Sequence, residues 1–324
     1  MASGNTNFDR VATLTLQNHG AEIFDAVSTN NALLYMLKKR ENIKIVSGGR
    51  EFTHPVFFTQ NTSFRSYSKL EAIDTPIMDD ITRAVYPIKV VAGSLVISTL
   101  DEAQNAGSKE KLIDLLDEVR MAAEISMSEV MGNQSFSDGA GANDMDGLQY
   151  LISTVANTQT DVGNITSTTA SGNTYWQNYV DATGTAAFNT GQAGLTLMNN
   201  ALNGTTFGRQ GPRLIVTTRA VYTLYELGLV SNVRYATTEL GDAGFRHLAF
   251  TTMPIVFDDN CPPARMYFVD TDQLWLQLLA RGNFQVTPFE PSHNQLSKTA
   301  LMYVFGNFTT GSRRTQGVLT GITG

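Results

Sequence analysis

The stretch Lys109–Met131, KEKLIDLLDEVRMAAEISMSEVM, decides the fold class because it predicts one long amphipathic helix. Ser108 can cap the N-terminus of this helix, Glu110 lies in its first turn, and Gly132 is expected to end it. About 23 residues at 1.5 Å per residue give a helix of roughly 35 Å. Apolar side chains recur at helical spacing, at Leu112, Leu115, Leu116, Val119, Ala123 and Val130.

The chain before this helix predicts an arm, a short helix and a long strand-rich excursion. Met1–Ala21 has weak periodicity, as in an extended arm, and a helix is predicted over Thr29–Arg40 with Ser28 as its N-cap. Three basic residues end this helix, where cations complement the helix dipole.

The excursion runs from Ile43 to Ile97 and reads as a hairpin that returns on itself. Strands are predicted over Phe52–Gln60, Phe64–Leu70 and Ala84–Ser98, and the acidic, proline-containing segment Glu71–Asp80 is predicted to be its polar tip. An isolated hairpin is marginal in water, so this one is expected to lie against something else.

After the long helix, the chain mixes helices and strands without a repeat of fixed period. Gly132–Gly147 reads as a linker, and a helix is predicted from Gly191 to about Asn203. A buried strand at Arg213–Thr218 precedes a helix over Thr218–Gly228. The class is therefore α+β, with six further strands predicted at Ile255–Phe257, Met266–Val269, Leu274–Leu279, Phe284–Phe289, Ala300–Asn307 and Val318–Ile322.

Composition favours a protein that makes many protein contacts. The chain has 324 residues, 42% of them apolar, which suits one large domain or two. Charged residues are only 16% of the chain, below the usual ~25%, so its polar surface is mostly uncharged. The net charge of −7 lacks the basic footprint of a sequence-blind DNA binder, which excludes tight nucleic-acid binding as the main function.

The compartment is predicted from what the sequence lacks. With one cysteine, Cys261, neither an internal disulfide nor a zinc site made of cysteine pairs is possible. The polar start, Met1–Phe8, is not a signal peptide, and the most apolar run, Val90–Ile97, is too short to span a bilayer. The chain is expected to be made in a cytoplasm.

No catalytic or cofactor-binding constellation stands out, so no enzyme activity and no cofactor are expected. Among the four scattered histidines there is no metal pair such as HExxH, and there is no GxSxG elbow. Cys261 lies in a rigid Asn-Cys-Pro-Pro turn without a neighbouring cation, which indicates a structural thiol. The acidic pairs at Asp258 and Asp270 are interpreted as turn residues, and Trp176 as a packing residue.

Several segments, taken in order, resemble the major capsid proteins of tailed phages, the Hong Kong 97-type fold. After the arm come VVAGSLVIS (Val90–Ser98), the long "spine" helix and TYWQNYV (Thr174–Val180). GPRLIVTTRAVYTLYELGL (Gly211–Leu229), MPIVFDDNCPPARMYFVDTDQLWL (Met253–Leu276) and GNFTTGSRRTQGVLTGI (Gly306–Ile322) follow. The resemblance covers nearly the whole chain and depends on the order and spacing of these pieces.

The resemblance implies four structural parts. They are an N-terminal arm (1–42), an extended loop (43–98), a peripheral domain with the spine helix (99–147 and 264–308) and an axial domain (148–263 and 309–324). It further implies pentamers and hexamers that form an icosahedral shell around a double-stranded DNA genome. Scaffolding, portal and decoration proteins are the further partners it implies, the virion is the location, and no membrane is involved.

The resemblance also places candidate contacts between subunits. The extended loop would lie on a neighbour, and its charged residues Arg65, Lys69, Glu71, Asp74 and Arg83 would then be partly desolvated. In the peripheral domain, the candidate contacts are His293 and Asn294. Some family members crosslink a loop lysine to a neighbour's asparagine, for which Lys69 with Asn283, Asn294 or Asn307 are the possible pairs.

Three alternatives stay open from the sequence. An encapsulin-like nanocompartment shell has the same fold and encloses a protein cargo. A tail-tube or adhesin-type β protein is disfavoured by the long helix. An enzyme of another kind is disfavoured because no nucleophile–base pair or metal cluster is visible.

Overall fold

A computed structural model describes residues 31–73, 75, 79–105, 109–155, 161–168, 171–181, 188, 192–228 and 248–323. Residues 1–30 of the predicted arm, the predicted caps Ser28 and Ser108, the candidate contact Asp74, and two of the histidines, His19 and His247, lie outside these residues.

Runs of strands and runs of helices follow one another along the described chain, and the last eight strands have no α-helix between them, which confirms the α+β class. The helices are α1 (Ala32–Lys39), α2 (Thr99–Asn105), α3 (Lys109–Ser135), α4 (Leu148–Leu151), α5 (Ala193–Thr205) and α6 (Arg219–Gly228). The strands of the first half are β1 (Ile43–Val46), β2 (Glu51–Phe57), β3 (Ile81–Pro87), β4 (Lys89–Ser98) and β5 (Tyr179–Asp181). Those of the second half are β6 (Leu214–Thr217), β7 (Leu248–Phe250), β8 (Met253–Phe257), β9 (Arg265–Val269), β10 (Leu274–Leu279), β11 (Gln285–Val286), β12 (Glu290–Pro291), β13 (Ser297–Thr310) and β14 (Gly317–Thr320).

The strands form three sheets. In the first sheet, the long strand β13 pairs antiparallel with β4 over Ser297–Gly306 and with β10 over Gly306–Thr310. β11 and β12 also pair with β13, and β1 pairs with β10 in parallel. The second sheet has the order β5-β14-β9-β6-β8-β7, and the hairpin β2–β3 forms the third.

The second sheet separates two hydrophobic cores. Because side chains alternate across a strand, Leu214 and Val216 of β6 pack into the core shared with the first sheet, α1 and α3. Ile215, between them, packs into the core beneath α5 and α6. All four residues of β6 are buried, which explains why this stretch reads as a continuous apolar run.

The first helix, α1, is shorter than predicted at its N-terminus. It begins at Ala32 because the Asn31 side chain accepts a hydrogen bond from the Leu34 amide at 3.1 Å and caps the helix. Lys38 and Lys39 lie in its last turn as expected. Five apolar residues of this helix are buried, namely Ala32, Leu33, Leu34, Met36 and Leu37.

The long helix is confirmed as α3, and it continues past the predicted stop at Gly132 to Ser135. Its 27 residues correspond to roughly 40 Å. Gly132 lies at a close contact inside the helix: a Cβ atom there would lie 2.7 Å from the Nδ2 atom at the end of the Asn260 side chain. The glycine therefore marks a close approach of another loop to the helix, and not its end.

The predicted strand Ala84–Ser98 is two strands, since β3 ends at Pro87 and β4 begins at Lys89. Proline has no amide hydrogen to donate to a ladder, and the Pro87 carbonyl instead accepts a bond from the Asn307 side chain at 2.8 Å. The chain changes partner here, from β2 before the break to β13 after it.

Two further strand predictions fail for local reasons. Phe64–Leu70 forms no strand, because local hydrogen bonds, such as Arg65 N–H to the Ser63 carbonyl and Glu71 N–H to the Ser68 carbonyl, both at 3.1 Å, hold it in turns. Phe284–Phe289 shortens to the two residues of β11, since Phe284 has a positive φ of 49° and a proline follows the strand. Within the described residues, no helix is long and apolar enough to cross a membrane.

Candidate assembly surfaces

The base of the β2–β3 hairpin is fixed to the body of the molecule. Alternate residues of β2 are buried, and Ala84 and Tyr86 of β3 are fully buried. The Tyr86 hydroxyl donates to the Thr310 carbonyl at 2.9 Å, and the Val85 amide donates to the Gly163 carbonyl at 2.9 Å. The hairpin therefore leaves the body at a defined place and angle.

His54 is the polar centre of this attachment. Its ring stacks on Trp275 with centroids 4.6 Å apart, and its Nε2 atom lies 2.9 Å from the Thr309 hydroxyl and 3.0 Å from the Gln277 amide nitrogen. Burial, and secondly the nearby Lys44 ammonium, lower the pKa of His54 to about 4. This histidine is therefore a neutral structural residue at physiological pH.

Beyond the base, the hairpin exposes large apolar side chains. Leu70 is 95% exposed and Phe64 is 81% exposed, and Phe57, Ile73 and Ile81 are also exposed. Phe64 and Leu70 belong to the segment that was predicted to be a strand, and Ile73 lies in the predicted polar tip, so charged and apolar residues are interleaved in this part of the hairpin. So many large apolar side chains on one protruding element indicate a surface that another chain covers.

The predicted charges of the tip are partly paired within the chain. The Arg65 guanidinium lies 2.6 Å from the Glu71 carboxylate and 4.4 Å from the centre of the Tyr67 ring. A hydrogen bond from the Ser68 amide, and secondly the bond to Arg65, lower the pKa of Glu71. Lys69 is exposed beside them. Arg65, Lys69 and Glu71 are thus brought together at the tip.

The other predicted contact residues lie elsewhere. Arg83 is exposed on β3, opposite Pro55 and nearer the hairpin base. His293 and Asn294 are exposed in the loop between β12 and β13. That loop adjoins the end of β4, about 30 Å along the strand from the hairpin base at 3.3 Å per residue. The predicted residues therefore form two separate surfaces on one subunit.

An apolar groove lies between α3 and β4. It encloses a cavity of about 370 Å³ lined by small and apolar side chains, namely Val91, Leu95, Val119, Ala123, Met127 and Met302. On the same helix, Met121 is 62% exposed and Ile125 is 61% exposed. The helix thus offers a second apolar surface, formed by residues that were not among those named for the apolar side of the predicted helix.

A fully buried guanidinium ties the second half of the chain together. Arg313 donates to the carbonyls of Leu151 at 2.8 Å and Trp176 at 3.1 Å, and to the side chains of Ser167 at 3.2 Å and Asn178 at 2.9 Å. Burial lowers the pKa of Arg313 to about 10. The arginine therefore joins four separate segments, and no sequence pattern had singled it out.

The residues weighed for chemistry have structural roles. The Asp258 and Asp270 side chains accept hydrogen bonds from the amides of Asn260 and Asp272, two residues on, which confirms their assignment to turns. Cys261 is buried, and burial raises the pKa of its thiol. Trp176 is buried as predicted, and its indole donates to the Val162 carbonyl. Within the described part of the chain, no three acidic, histidine or cysteine side chains converge as a metal site.

The three candidate asparagines for a crosslink differ in accessibility. Asn307 is fully buried and bonded to Asp146 and to the Pro87 carbonyl, so it does not face a neighbour's lysine. Asn294 is exposed and Asn283 is half-buried. Of the three, Asn294 is the most exposed.

The geometry matches that of solved shell proteins, and the chain has the α+β Hong Kong 97-type capsid fold. It is similar to the Cyanophage A-1(L) capsid subunit, with a TM-score of 0.70 and 17% identity over 92% of this chain and 94% of that one. The capsid protein of a native GTA particle matches with a TM-score of 0.56 and 12% identity over 88% and 89%.

An encapsulin shares the fold as well. The shell protein of the holo-SrpI encapsulin complex from Synechococcus elongatus matches with a TM-score of 0.52 and 10% identity over 89% of this chain and 88% of that one. No protein-family model and no curated protein matches the chain in sequence. At these identities the comparisons establish the fold.

The exposed apolar residues of the hairpin tip are the functional feature that sequence reasoning missed. The signal was present, because Phe64 and Leu70 were assigned to a strand that has no partner in the prediction, and Ile73 lies in a segment judged by its acidic residues and its proline. Apolar residues without a helical or strand period in a protruding loop are typical of a contact surface, not of a free turn.

Proposed function

We propose that this chain is the major capsid protein of a tailed phage. In this proposal it self-assembles into pentamers and hexamers that form an icosahedral shell around double-stranded DNA. The observation that carries the proposal is the hairpin, whose base is fixed by buried contacts and whose tip exposes Phe64, Leu70 and Ile73. On an isolated subunit these side chains face water, and in a shell a neighbouring subunit covers them.

The proposed parts follow the fold. Residues 1–42 act as the arm, 43–98 as the extended loop, 99–147 with 264–308 as the peripheral domain, and 148–263 with 309–324 as the axial domain. The sheets support this division in part, since β10–β12 of the peripheral part lie in the first sheet and β5–β8 with β14 of the axial part lie in the second. β4, which falls in the extended loop, also belongs to the first sheet, and β9 belongs to the second although it falls in the range of the peripheral domain. Scaffolding, portal and decoration proteins are the proposed further partners, and the virion is the proposed location.

Contacts between subunits are proposed on both separate surfaces. The tip, with Arg65, Lys69 and Glu71, would contact one neighbour, together with Arg83 on the strand behind it. His293 and Asn294 would lie at another contact. A tip that buries one large apolar side chain gains about 1.5–3 kcal/mol, whereas an exposed ion pair contributes about 0–1 kcal/mol. The apolar residues are therefore expected to decide whether subunits assemble, and the charges to decide how the tip is positioned on its neighbour.

The second candidate is an encapsulin-like shell with a protein cargo, favoured by the similarity to the Synechococcus elongatus encapsulin. The contents of purified particles separate the two candidates. Nuclease-protected DNA in the particles would support the phage capsid, and a single co-purifying protein without DNA would support the nanocompartment.

Replacing residues 62–80 with a short Gly-Ser turn tests the role of the hairpin. The subunit should stay folded, because the anchoring contacts of Phe52, His54 and Tyr86 lie outside the replaced segment. Circular dichroism would report the fold, and sedimentation velocity would report the assembly. We expect native-like spectra and a loss of closed shells. Normal shells from the replaced chain would refute the role given to the tip.

A pair of substitutions gives a matched control. Leu70→Ser removes the most exposed large apolar side chain, and Leu70→Met keeps an apolar side chain of similar volume. The serine variant should need a higher protein concentration than the wild type to form shells, and the methionine variant should need a similar concentration. Equal behaviour of both variants would show that the apolar character of this residue does not matter.

A further inference from the structure

The strand β4 is a long edge of the first sheet. Among the described strands it pairs only with β13, over its ten residues from Lys89 to Ser98. Every second residue of such a strand directs its N–H and C=O groups away from the partner strand. The other edge of β4 therefore offers a row of backbone donors and acceptors to a further strand.

The apolar groove beside α3 lies along this free edge. Six consecutive residues of β4, 91–96, line the groove, which also reaches Met302 of β13. Side chains alternate between the two faces of a strand, so a groove that touches every residue of the run meets the strand at its backbone edge. A Cβ atom added to Gly93, in the middle of the run, would meet no atom within 4 Å. The edge is thus open to another chain.

The length and the polarity of the groove suit a short uncharged strand. Six residues at 3.3 Å per residue give it a length of roughly 20 Å along β4. None of the described residues that line it is charged, and Val119, Ala123 and Met127 lie on its α3 side. A charged side chain would lose its water there without gaining a partner. An extended segment with an apolar face and free backbone groups satisfies both sides of the groove.

The N-terminal arm contains one segment of this kind. Residues 11–17, Val-Ala-Thr-Leu-Thr-Leu-Gln, which we call the arm segment, lie outside the residues that the structure describes. No residue of the arm segment is charged, and Ala12, Leu14 and Leu16 alternate with polar residues, the pattern of a strand with one apolar face. Its valine and two threonines are β-branched, which also favours a strand. Seven residues span roughly 23 Å, close to the length of the groove.

The arm joins the described fold within reach of the groove. The side-chain amide nitrogen of Asn31, the first described residue, lies 3.4 Å from the position of a Cβ atom on Gly132 of α3. Val130, two residues earlier on this helix, lines the groove. Two residues are about 200° apart around a helix some 10–12 Å across, so the chain has to pass about halfway around α3. The 13 residues from 18 to 30 span up to roughly 43 Å, which is enough.

We propose that the arm segment pairs with the free edge of β4 in the same chain and fills the groove beside α3. Backbone hydrogen bonds to β4 hold it, and its apolar face packs against α3, as in other cases of strand addition. The docked arm segment also protects the ten-residue edge, at which copies of the chain would otherwise pair edge to edge. The inference does not depend on the proposed capsid function, because it concerns a single subunit.

Hydrogen exchange of the full-length chain, read by mass spectrometry, measures whether the edge of β4 is paired. Leu14→Pro removes a backbone donor in the middle of the arm segment and should speed the exchange of the outward-facing amides in 90–97 by about tenfold, because hydrogen-bonded amides exchange slowly. Asn5→Pro introduces the same residue before the arm segment and should leave this exchange unchanged. Equal exchange in all three chains would overturn the proposal, and so would an equal rise in both variants.

A photocrosslink identifies the occupant of the groove. Ala122→p-benzoylphenylalanine places the reactive group on α3 inside the groove, and Glu118→p-benzoylphenylalanine places it on the exposed surface of the same helix outside the groove. We expect residue 122, but not residue 118, to form an adduct with the arm segment that migrates as one chain on a denaturing gel. An adduct that migrates as a dimer would overturn the assignment to the same chain. If that adduct contains residues 58–80 of a second copy, the groove receives the hairpin tip instead.

Discussion

Two buried titratable groups, His54 and Asp270, are predicted to give the subunit opposite pH dependences in the same acidic window. Burial lowers the pKa of His54 from 6.5 to about 4, and burial raises the pKa of Asp270 from 3.8 to about 6. Both side chains are buried, at 7% and 1% exposure. Two substitutions separate these effects, since His54→Gln removes one titratable side chain and Asp270→Asn removes the other.

A pKa that differs between the folded and the unfolded chain changes the free energy of unfolding by about 1.36 kcal/mol for each unit of difference. The change is therefore about 3 kcal/mol for each of the two groups. For His54, the unfolded chain takes up a proton near pH 6.5 and the folded chain only near pH 4. The stability contributed by His54 is therefore present above pH 6.5 and lost as the pH falls toward 4. For Asp270, the folded chain takes up the proton first, so stability is gained as the pH falls from 6 to 4 and lost as it rises through 6.

Urea denaturation of the unassembled subunit at pH 7, 6, 5 and 4 measures both effects through tryptophan fluorescence. The free energy of unfolding of the wild type minus that of His54→Gln should fall by about 3 kcal/mol from pH 7 to 4. Over the same pH range, the free energy of unfolding of the wild type minus that of Asp270→Asn should rise by a similar amount. His293→Gln changes an exposed histidine and should leave the pH dependence close to that of the wild type. Differences that do not vary with pH would refute the assignment of burial as the cause.

Three further predictions concern stability, assembly and reactivity. Arg313→Met should lower the free energy of unfolding by about 3–5 kcal/mol in a denaturant titration, because four buried acceptors lose their donor. Phe64→Ser should change the stability of the subunit by less than ~0.5 kcal/mol yet raise the concentration needed for shell assembly, seen by light scattering. Cys261 should react with a thiol reagent only after denaturation, since its thiol is buried with a raised pKa.

The elements that sequence predicted well are those whose own pattern decides them. The long helix, the helix Thr218–Gly228 and the buried strand before it each combine a period with a boundary residue, and all three occur within a few residues of the prediction. The order of such elements also carried the resemblance to the capsid fold. Local pattern and tertiary structure agree there, as expected of a foldable sequence.

The errors arise where a distant residue decides the conformation. Gly132 was expected to end a helix, but the helix continues to Ser135, and the Asn260 side chain approaches it at this glycine. Arg313 reads as one of a pair of ordinary surface arginines, and only the fold brings its acceptors Leu151, Trp176 and Asn178 around it.

Negative-stain electron microscopy of the purified full-length chain tests the central claim most directly. The account predicts rings of five or six subunits or closed shells, because the hairpin tip exposes apolar surface that neighbours cover. A compact monomer at high concentration, with the segment 58–80 protected from protease, would contradict it.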